Sequence, residues 1–187
     1  VTLTLAPGST LRATRDPAAY AEDVAGLEYA EDILRRGMFS PFCLLYAEGE
    51  ERVTIRGSGT IDGDWSPPGD ERKQRPMLIR VVGCAEVTLA GLTLTRPPSF
   101  TCYFEHSTNI RVRDVTIRSR TTPNGDGLDF NGCEDVSISG CDLDCGDDAI
   151  SLQPLRRGRP SRRLVVRHSI IARLRPAWLR GFAVDGV

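Results

Sequence analysis

The stretch PNGDGLDFNGCEDVSISGCDLDCGDDAISLQ, residues 123–153, decides how the chain is read. Acidic residues return at the same place in two successive segments: Asp126 in NGDG, then Asp147 and Asp148 in GDDA, with Asp126 and Asp147 21 residues apart. Between them VSIS (Val136 to Ser139) alternates apolar and polar residues as a half-buried strand does, bounded by the turn residues Asn131, Gly132 and Gly140. If each segment is one coil of a stacked sheet, the carboxylates become lateral neighbours, because adjacent strands lie only about 4.8 Å apart. Three carboxylates so close repel one another, which raises the proton affinity of at least one and leaves others ionised. Such a set can supply both an acid and a base.

The same kind of text recurs on both sides. CLLYAEG, RVTIRGSGTIDG, MLIRVVGCAEVTLAGLTLTRPP, NIRVRDVTIRSR, EDVSISGCDLDCG and RLVVRHSII each read as short β-branched strands broken by Gly, Asn or Asp. Val87, Ile110, Val136 and Leu164 hold equivalent places at intervals of 23, 26 and 28 residues. Repeats of that length with β-branched strands and polar corners predict a solenoid. Little chain is left for crossover helices, so the expected fold is all-β, a right-handed parallel β-helix incomplete at both ends. Its inward positions are Val, Ile and Leu, and its functional residues lie outward on one face. The competing fold, an antiparallel sandwich, also has strands at about 8–12-residue spacing, but it does not require the coil-length period.

Composition sets the outer bounds. The 187 residues, 40% hydrophobic and 26% charged, suit one domain with its own core. We read residues 1–187 as a single partial β-helix with 170–187 as an atypical tail. With 24 basic against 25 acidic residues the net charge is −1. No global field therefore recommends nucleic acid or an anionic membrane as a partner. No run approaches the roughly 20 apolar residues that cross a bilayer. The opening VTLTLAPGST has no signal-peptide features, and because it starts in mid-alternation on Val1, the true beginning is expected upstream. Six cysteines (Cys43, Cys84, Cys102, Cys133, Cys141, Cys145) include no CxxC pair, which argues against zinc and for small buried core residues. A disulfide stays open if the protein is exported.

At the start of the chain the sequence predicts two strands around a Pro7-Gly8 turn. Asp16 then offers a helix N-cap, with Pro17 at the first helical position and Tyr20, Val24, Leu27 and Leu34 at near-helical spacing up to Gly37. A short helix or compact loop is expected there, without chemistry of its own.

Several of these stretches together resemble the polygalacturonase family of glycoside hydrolases, family 28, whose members are pectin-cleaving β-helices. The likeness is carried by GSGTIDGDW (Gly57 to Trp65), Arg75-Pro76 before a strand, VTLAGLTLTRPPSF (Val87 to Phe100), NGDGLDF (Asn124 to Phe130) and GDDAISLQ (Gly146 to Gln153). The opening LTLAPGSTLRATRDPAAY and LLYAEGEERVTIRGSGTIDG are similar to the bacterial branch, so the likeness runs from Val1 to about Ser169. In that family an NTD motif and a DD motif supply three catalytic aspartates. Asp126 matches the first, with Gly125 where Thr is usual, and Asp147 and Asp148 match the second. The resemblance implies that Asp147 protonates the leaving oxygen while Asp126 and Asp148 hold and deprotonate water, giving inversion. It also implies Asn124 and Gln153 as substrate-binding residues and no cofactor, metal or organic. The implied partner is a pectic poly- or oligosaccharide, and the implied location is secreted or periplasmic.

Inverting hydrolysis needs a protonated and an ionised carboxyl about 6.5–9.5 Å apart with a water between them, a separation that adjacent coils offer once side chains splay. Successive strand residues point to opposite faces, so Asp147 and Asp148 reach one cleft only if the chain bends after Gly146. Asp62, Asp64, Asp114, Asp135 and Asp142 read instead as coil corners. The family's GHG and RIK motifs are absent. The only histidines, His106 and His168, read as corner or surface residues. This predicts little or no activity for the chain alone. Arginines from Arg156 to Arg180 read as solvated, although guanidinium groups also suit a polyanion. Trp65 and Phe100 lie at family positions near the groove, where packing of coil ends competes with sugar stacking. Two other classes stay open: a calcium-dependent polysaccharide lyase and a non-catalytic saccharide-binding β-helix.

Overall fold

The computed structural model describes residues 1–20, 42–66, 75–152, 160–172 and 184–185. Its strands form three sheets that run the length of the molecule. The first contains β1 (Thr2–Leu5), β4 (Val53–Gly57), β7 (Val87–Ala90), β10 (Thr108–Arg113), β13 (Glu134–Ser139), β16 (Arg162–Arg167) and β18 (Val184–Asp185). The second contains β2 (Thr10–Arg12), β5 (Thr60–Asp62), β8 (Thr93–Thr95), β11 (Thr116–Arg118), β14 (Asp142–Asp144) and β17 (Ile170–Ala172). The third contains β3 (Cys43–Glu48), β6 (Met77–Val82), β9 (Cys102–Glu105), β12 (Leu128–Asn131) and β15 (Ile150–Leu152). The chain visits the sheets in turn and pairs every strand in parallel with its counterpart one coil away. This is a right-handed parallel β-helix, the hand that parallel crossovers take, and not an antiparallel sandwich.

The repeat positions read from the sequence are the stacking register. Ile110 lies opposite Val136 and Val136 opposite Leu164. Inside, like side chains stack coil on coil: Ile61, Leu94, Ile117 and Leu143 in the second sheet, Ile55, Leu89, Val112 and Ile138 in the first. All of them are buried. Phe104 stacks on Phe130 with ring centroids 5.1 Å apart. The cysteines fit this core as free thiols, five of them buried. Burial pushes the thiols of Cys133 and Cys145 up to about 12, so neither is a nucleophile near neutral pH.

Corners repeat as strictly as strands. Where the third sheet hands over to the first, Gly49, Gly83, His106 and Gly132 all adopt positive φ; where the first hands over to the second, Gly91, Asp114, Gly140 and His168 do so. Both histidines thus occupy turn positions that glycine fills in other coils, which is the corner role expected of them. At the other end, the expected helix after Asp16 is a 3-10 turn, Pro17–Ala19, capped by Asp16 Oδ1 accepting from the Ala18 amide at 3.0 Å. Val24, Leu27, Leu34 and Gly37 lie outside the described residues.

The third sheet departs from the simple alternation. In β6, β9 and β12 residues of both faces are buried, including the outward Arg80, Tyr103 and Asp129 and, beside them, Glu105 and Asn131. Arg80 and Glu105 form an ion pair at 3.1 Å with side chains 0% and 2% exposed. A parallel sheet covered on both sides reads as a near-continuous apolar run, and MLIRVV is such a run.

Candidate active site

The acidic cluster forms at the edge of this covered sheet, where the chain enters β12 and β15. Leu128 pairs with Ile150, so two residues earlier Asp126 stands directly across from Asp148. The Gly127 amide donates to the Asp148 carbonyl at 2.9 Å, which locks that register. Asp147, equated with Asp126 by its spacing in sequence, falls one residue short, because coils differ in length at their corners. The required bend is present: Gly146 and Asp147 leave the extended conformation. Gly146 allows it by close approach, since a Cβ there would meet the Thr122 carbonyl oxygen at 2.3 Å.

Asp126 is buried, while Asp147 and Asp148 are half-buried at the rim. Desolvation, then the charges of Asp147 and Asp148, push the Asp126 carboxyl up to about 7. The structure therefore brings all three predicted carboxylates together, with Asp126 the deepest of them.

A fourth carboxyl, Asp129, belongs to the same cluster and was not singled out from sequence. It is fully buried, in register with Ser151, and hydrogen-bonded to the side chains of Asp126 and Ser151. Burial first, then the Asp126 charge and hydrogen bond, raise it well above the usual carboxylate range. The one available signal was a charged residue between the apolar Leu128 and Phe130.

The loop carrying Asp126 is fastened from several directions. Ser119 Oγ donates to the Gly125 carbonyl at 2.5 Å, and Thr122 Oγ1 to the Pro97 carbonyl at 2.8 Å. Arg75 reaches across from two coils earlier, donating through Nη1 to the Pro123 carbonyl at 2.6 Å and through Nη2 to Asn124 Oδ1 at 3.0 Å. Its other face lies 6.0 Å from the Trp65 ring. Asn124 Oδ1 is thus spent on the loop's own scaffold. The Gly125 departure also has a physical reason: a Cβ would sit 2.7 Å from both the Ser119 and Thr122 carbonyl oxygens. Gln153 lies outside the described residues.

Other candidates resolve into structure. Trp65 is buried beside Arg75, and Phe100 is buried and stacked on Tyr103 at 5.9 Å, so both pack the coil. Asp62 binds Arg96 bidentately, Asp64 binds Arg15 at 2.7 Å, Asp135 binds Arg163 and Asp142 binds Arg118. Of the arginines from 156 onward, Arg162, Arg163 and Arg167 are described, exposed on the first sheet rather than at the acidic edge of the third.

Comparison with known proteins follows the same stretch of chain. The model for "Glycosyl hydrolases family 28" matches residues 43–158. A Vitis vinifera protein named "Probable polygalacturonase" is 30% identical over 138 residues, 66% of this chain and 28% of that protein. A polygalacturonase of Juniperus ashei is 29% identical over 111 residues, covering 52% of this chain and 22% of that relative. The chain thus spans less than a third of the length of these curated relatives. Among solved structures, an exopolygalacturonase from Thermotoga maritima superposes with a TM-score of 0.72 at 22% identity, over 90% of this chain and 47% of that one. A polygalacturonase from Erwinia carotovora superposes with a TM-score of 0.66 at 20% identity, over 90% and 48% respectively. At such identities these two likenesses speak for the fold.

Proposed function

The chain belongs to glycosyl hydrolases family 28, and from that premise we propose that the protein hydrolyses O-glycosidic bonds of pectic polysaccharide, α-1,4-galacturonosyl or related, with inversion. The observation that carries this reading is the meeting of Asp126, Asp147 and Asp148 at one sheet edge, one of them buried and two at the rim. Polygalacturonase names among the relatives agree with the substrate class.

In this mechanism Asp147, at the rim, donates a proton to the glycosidic oxygen as the C–O bond breaks. Water held by Asp126 and Asp148 attacks the anomeric carbon from the other side and gives its proton to the cluster. A carboxylate whose proton affinity is raised toward neutral is a stronger acceptor than an ordinary one, which suits Asp126 to the base role. Because the carboxyls interact strongly, the titration belongs to the set rather than to one member. The mechanism needs no cofactor. The missing GHG and RIK motifs lead us to propose that activity of these residues alone is low.

The test is reducing-sugar release from polygalacturonate and from rhamnogalacturonan, with Asp147→Asn beside the wild type. Release by wild type and a drop of ~10²–10⁴-fold in the variant are expected, with the product first formed in the inverted anomeric configuration by NMR. Oligogalacturonide binding without turnover in either form, or an unsaturated product that chelator abolishes, would overturn the reading in favour of a binding module or a lyase.

A further inference from the structure

The first two sheets treat their arginines in opposite ways. On and beside the second sheet each is paired with an acid one coil away: Arg96 with Asp62, Arg118 with Asp142, Arg120 with Asp144. On the first sheet the outward residues of successive strands form two rows along the axis of the β-helix. One row runs Arg56, Ala90, Arg113, Ser139, Arg167, and the row beside it Thr54, Thr88, Arg111, Ser137, Val165. All four arginines are exposed. Arg56 reaches Thr4 Oγ1 at 3.4 Å, and Arg113 reaches its chain neighbour Asp114 at 3.5 Å. Among the described residues the guanidinium groups of Arg111 and Arg167 have no hydrogen-bond or ion-pair partner. Neither row holds a carboxylate from β4 to β16. Acids stand at the corners instead: Glu134 and Asp135, both bound to Arg163, Glu86 before β7 and Asp114 after β10. Beyond Arg167 the next register position is Asp185 on β18.

The spacing of these charges points to a ligand. Arg56, Arg113 and Arg167 recur at every second coil, about 9.6 Å apart, and the small residues Ala90 and Ser139 between them keep like charges from lying directly opposite one another. Guanidinium forks suit carboxylates. In an extended polyuronate of twofold symmetry every second carboxylate faces the same side, at a spacing comparable to two pyranose units. The hydroxyls of Thr54, Thr88, Ser137 and Ser139 lie between the arginines as donors and acceptors for sugar hydroxyls. Neither row offers an aromatic ring on which a nucleic-acid base could stack. Val165, 38% exposed, is their one exposed large apolar side chain, too little to anchor a lipid surface.

We propose that the outer face of the first sheet is a binding surface for an acidic polysaccharide of the pectic class, laid along the axis and held by its carboxylates on Arg56, Arg111, Arg113 and Arg167. It is separate from the acidic cluster, which lies at the edge of the third sheet. Exposed ion pairs are individually weak, so the surface works by repetition over about 19 Å, four strand spacings. Its affinity therefore grows with polymer length and falls with salt. Such a surface keeps a long chain on the protein while the cluster engages another part of it. The pectic identity of the polymer rests on the proposed function.

The experiment is calorimetric binding of polygalacturonate to the full chain carrying Asp147→Asn, beside the same chain with Arg56→Gln, Arg113→Gln and Arg167→Gln together, each first checked for a cooperative melt. The triple change is expected to weaken polymer binding by ~10-fold, and full methyl esterification of the polymer, which removes its charge, to weaken binding to the parent chain by at least as much. Unchanged polymer binding in the triple variant overturns the inference, and so does equal binding of the esterified polymer. Equal affinity for a DNA oligomer or for vesicles of anionic lipid overturns it in favour of unspecific attraction of polyanions.

A second measurement needs no arginine variant. In the NMR spectrum of the Asp147→Asn chain, added polygalacturonate shifts the Nε–H signals of Arg56, Arg111, Arg113 and Arg167 and leaves those of the paired Arg118 and Arg163 in place. Shifts confined to the surroundings of Asp126 overturn the inference. In an otherwise wild-type chain the triple arginine change raises KM for the polymer, with kcat and sugar release from a galacturonate trimer unchanged. An equal loss on the trimer would put these arginines at the cluster and overturn it. Should the wild type release sugar from no pectic substrate, the proposed function fails while binding and NMR still decide the role of this face.

Discussion

Arg75 and Asn124 are bound to each other across two coils, Nη2 donating to Oδ1 at 3.0 Å, and the same guanidinium holds the Pro123 carbonyl at 2.6 Å. This clamp lies two residues from Asp126. Burial lowers the proton affinity of Arg75 below its ordinary value, yet a guanidinium stays charged at any working pH.

The clamp predicts a split effect. Arg75→Ala removes the charge-assisted hydrogen bonds to Pro123 and Asn124, with a longer one to the Pro98 carbonyl, and is expected to cost about 2–3 kcal/mol in urea unfolding. Arg75→Lys restores the charge but not the fork, and recovers less than half of the loss. Equal stability of Arg75→Lys and wild type would show that charge alone, and not the two-pronged geometry, holds the loop.

Stability should depend on pH in the unusual direction. Desolvation, then Asp147 and Asp148, raise Asp126 to about 7 in the folded protein, while in the unfolded chain an aspartate titrates near 3.9. The folded state thus binds the extra proton between these values. Its contribution to stability is full below about pH 4, is lost as pH rises toward about 7, and is constant above. Asp126→Asn removes this loss and is expected to stabilise the protein at pH 8 by a few kcal/mol, with little change at pH 4. Denaturant melts at the two pH values test it, and a variant no more stable than wild type at pH 8 counts against the cluster geometry.

The corner histidine at 168 carries a backbone cost. It is exposed, with φ at 47°, at the turn where Gly91 and Gly140 stand in other coils. His168→Gly relieves a left-handed conformation worth about 1–2 kcal/mol and returns part of it as chain entropy. The expected net gain is ~0.5 kcal/mol, seen as a small rise in melting temperature with sugar release unchanged. A fall in hydrolytic rate would instead give His168 a role in the chemistry.

The buried pair Arg80–Glu105 should be tolerant of joint replacement and intolerant of single change. Arg80→Met alone strands a buried carboxylate and is expected to cost about 3–5 kcal/mol. Arg80→Met combined with Glu105→Leu is expected to recover most of it, because the pair's desolvation cost disappears together with its attraction. A double variant as unstable as the single one would mean that the pair also holds the face of β6 and β9 in another way, for example through the Tyr46 ring 5.8 Å from the Arg80 guanidinium.

What the chain says by itself is the coil. β-branched strands, polar corners and a recurring period are local properties, so the parallel solenoid and the equivalence of Ile110, Val136 and Leu164 were legible, as were Asp126, Asp147 and Asp148 as a set. What only the stacked structure decided is the relation between coils. Because corners differ in length, counting residues equates Asp126 with Asp147, whereas the backbone pairing sets it against Asp148. Burial is a sum over neighbours distant in sequence, so the apolar run MLIRVV and the charge between Leu128 and Phe130 are only local hints of the covered outer face and of the buried Asp129, and the Arg75 clamp has no local signature. The proton affinity of Asp126 follows from that same sum: it is set by three other acids and by exclusion of water, and none of these is fixed until the coils are stacked.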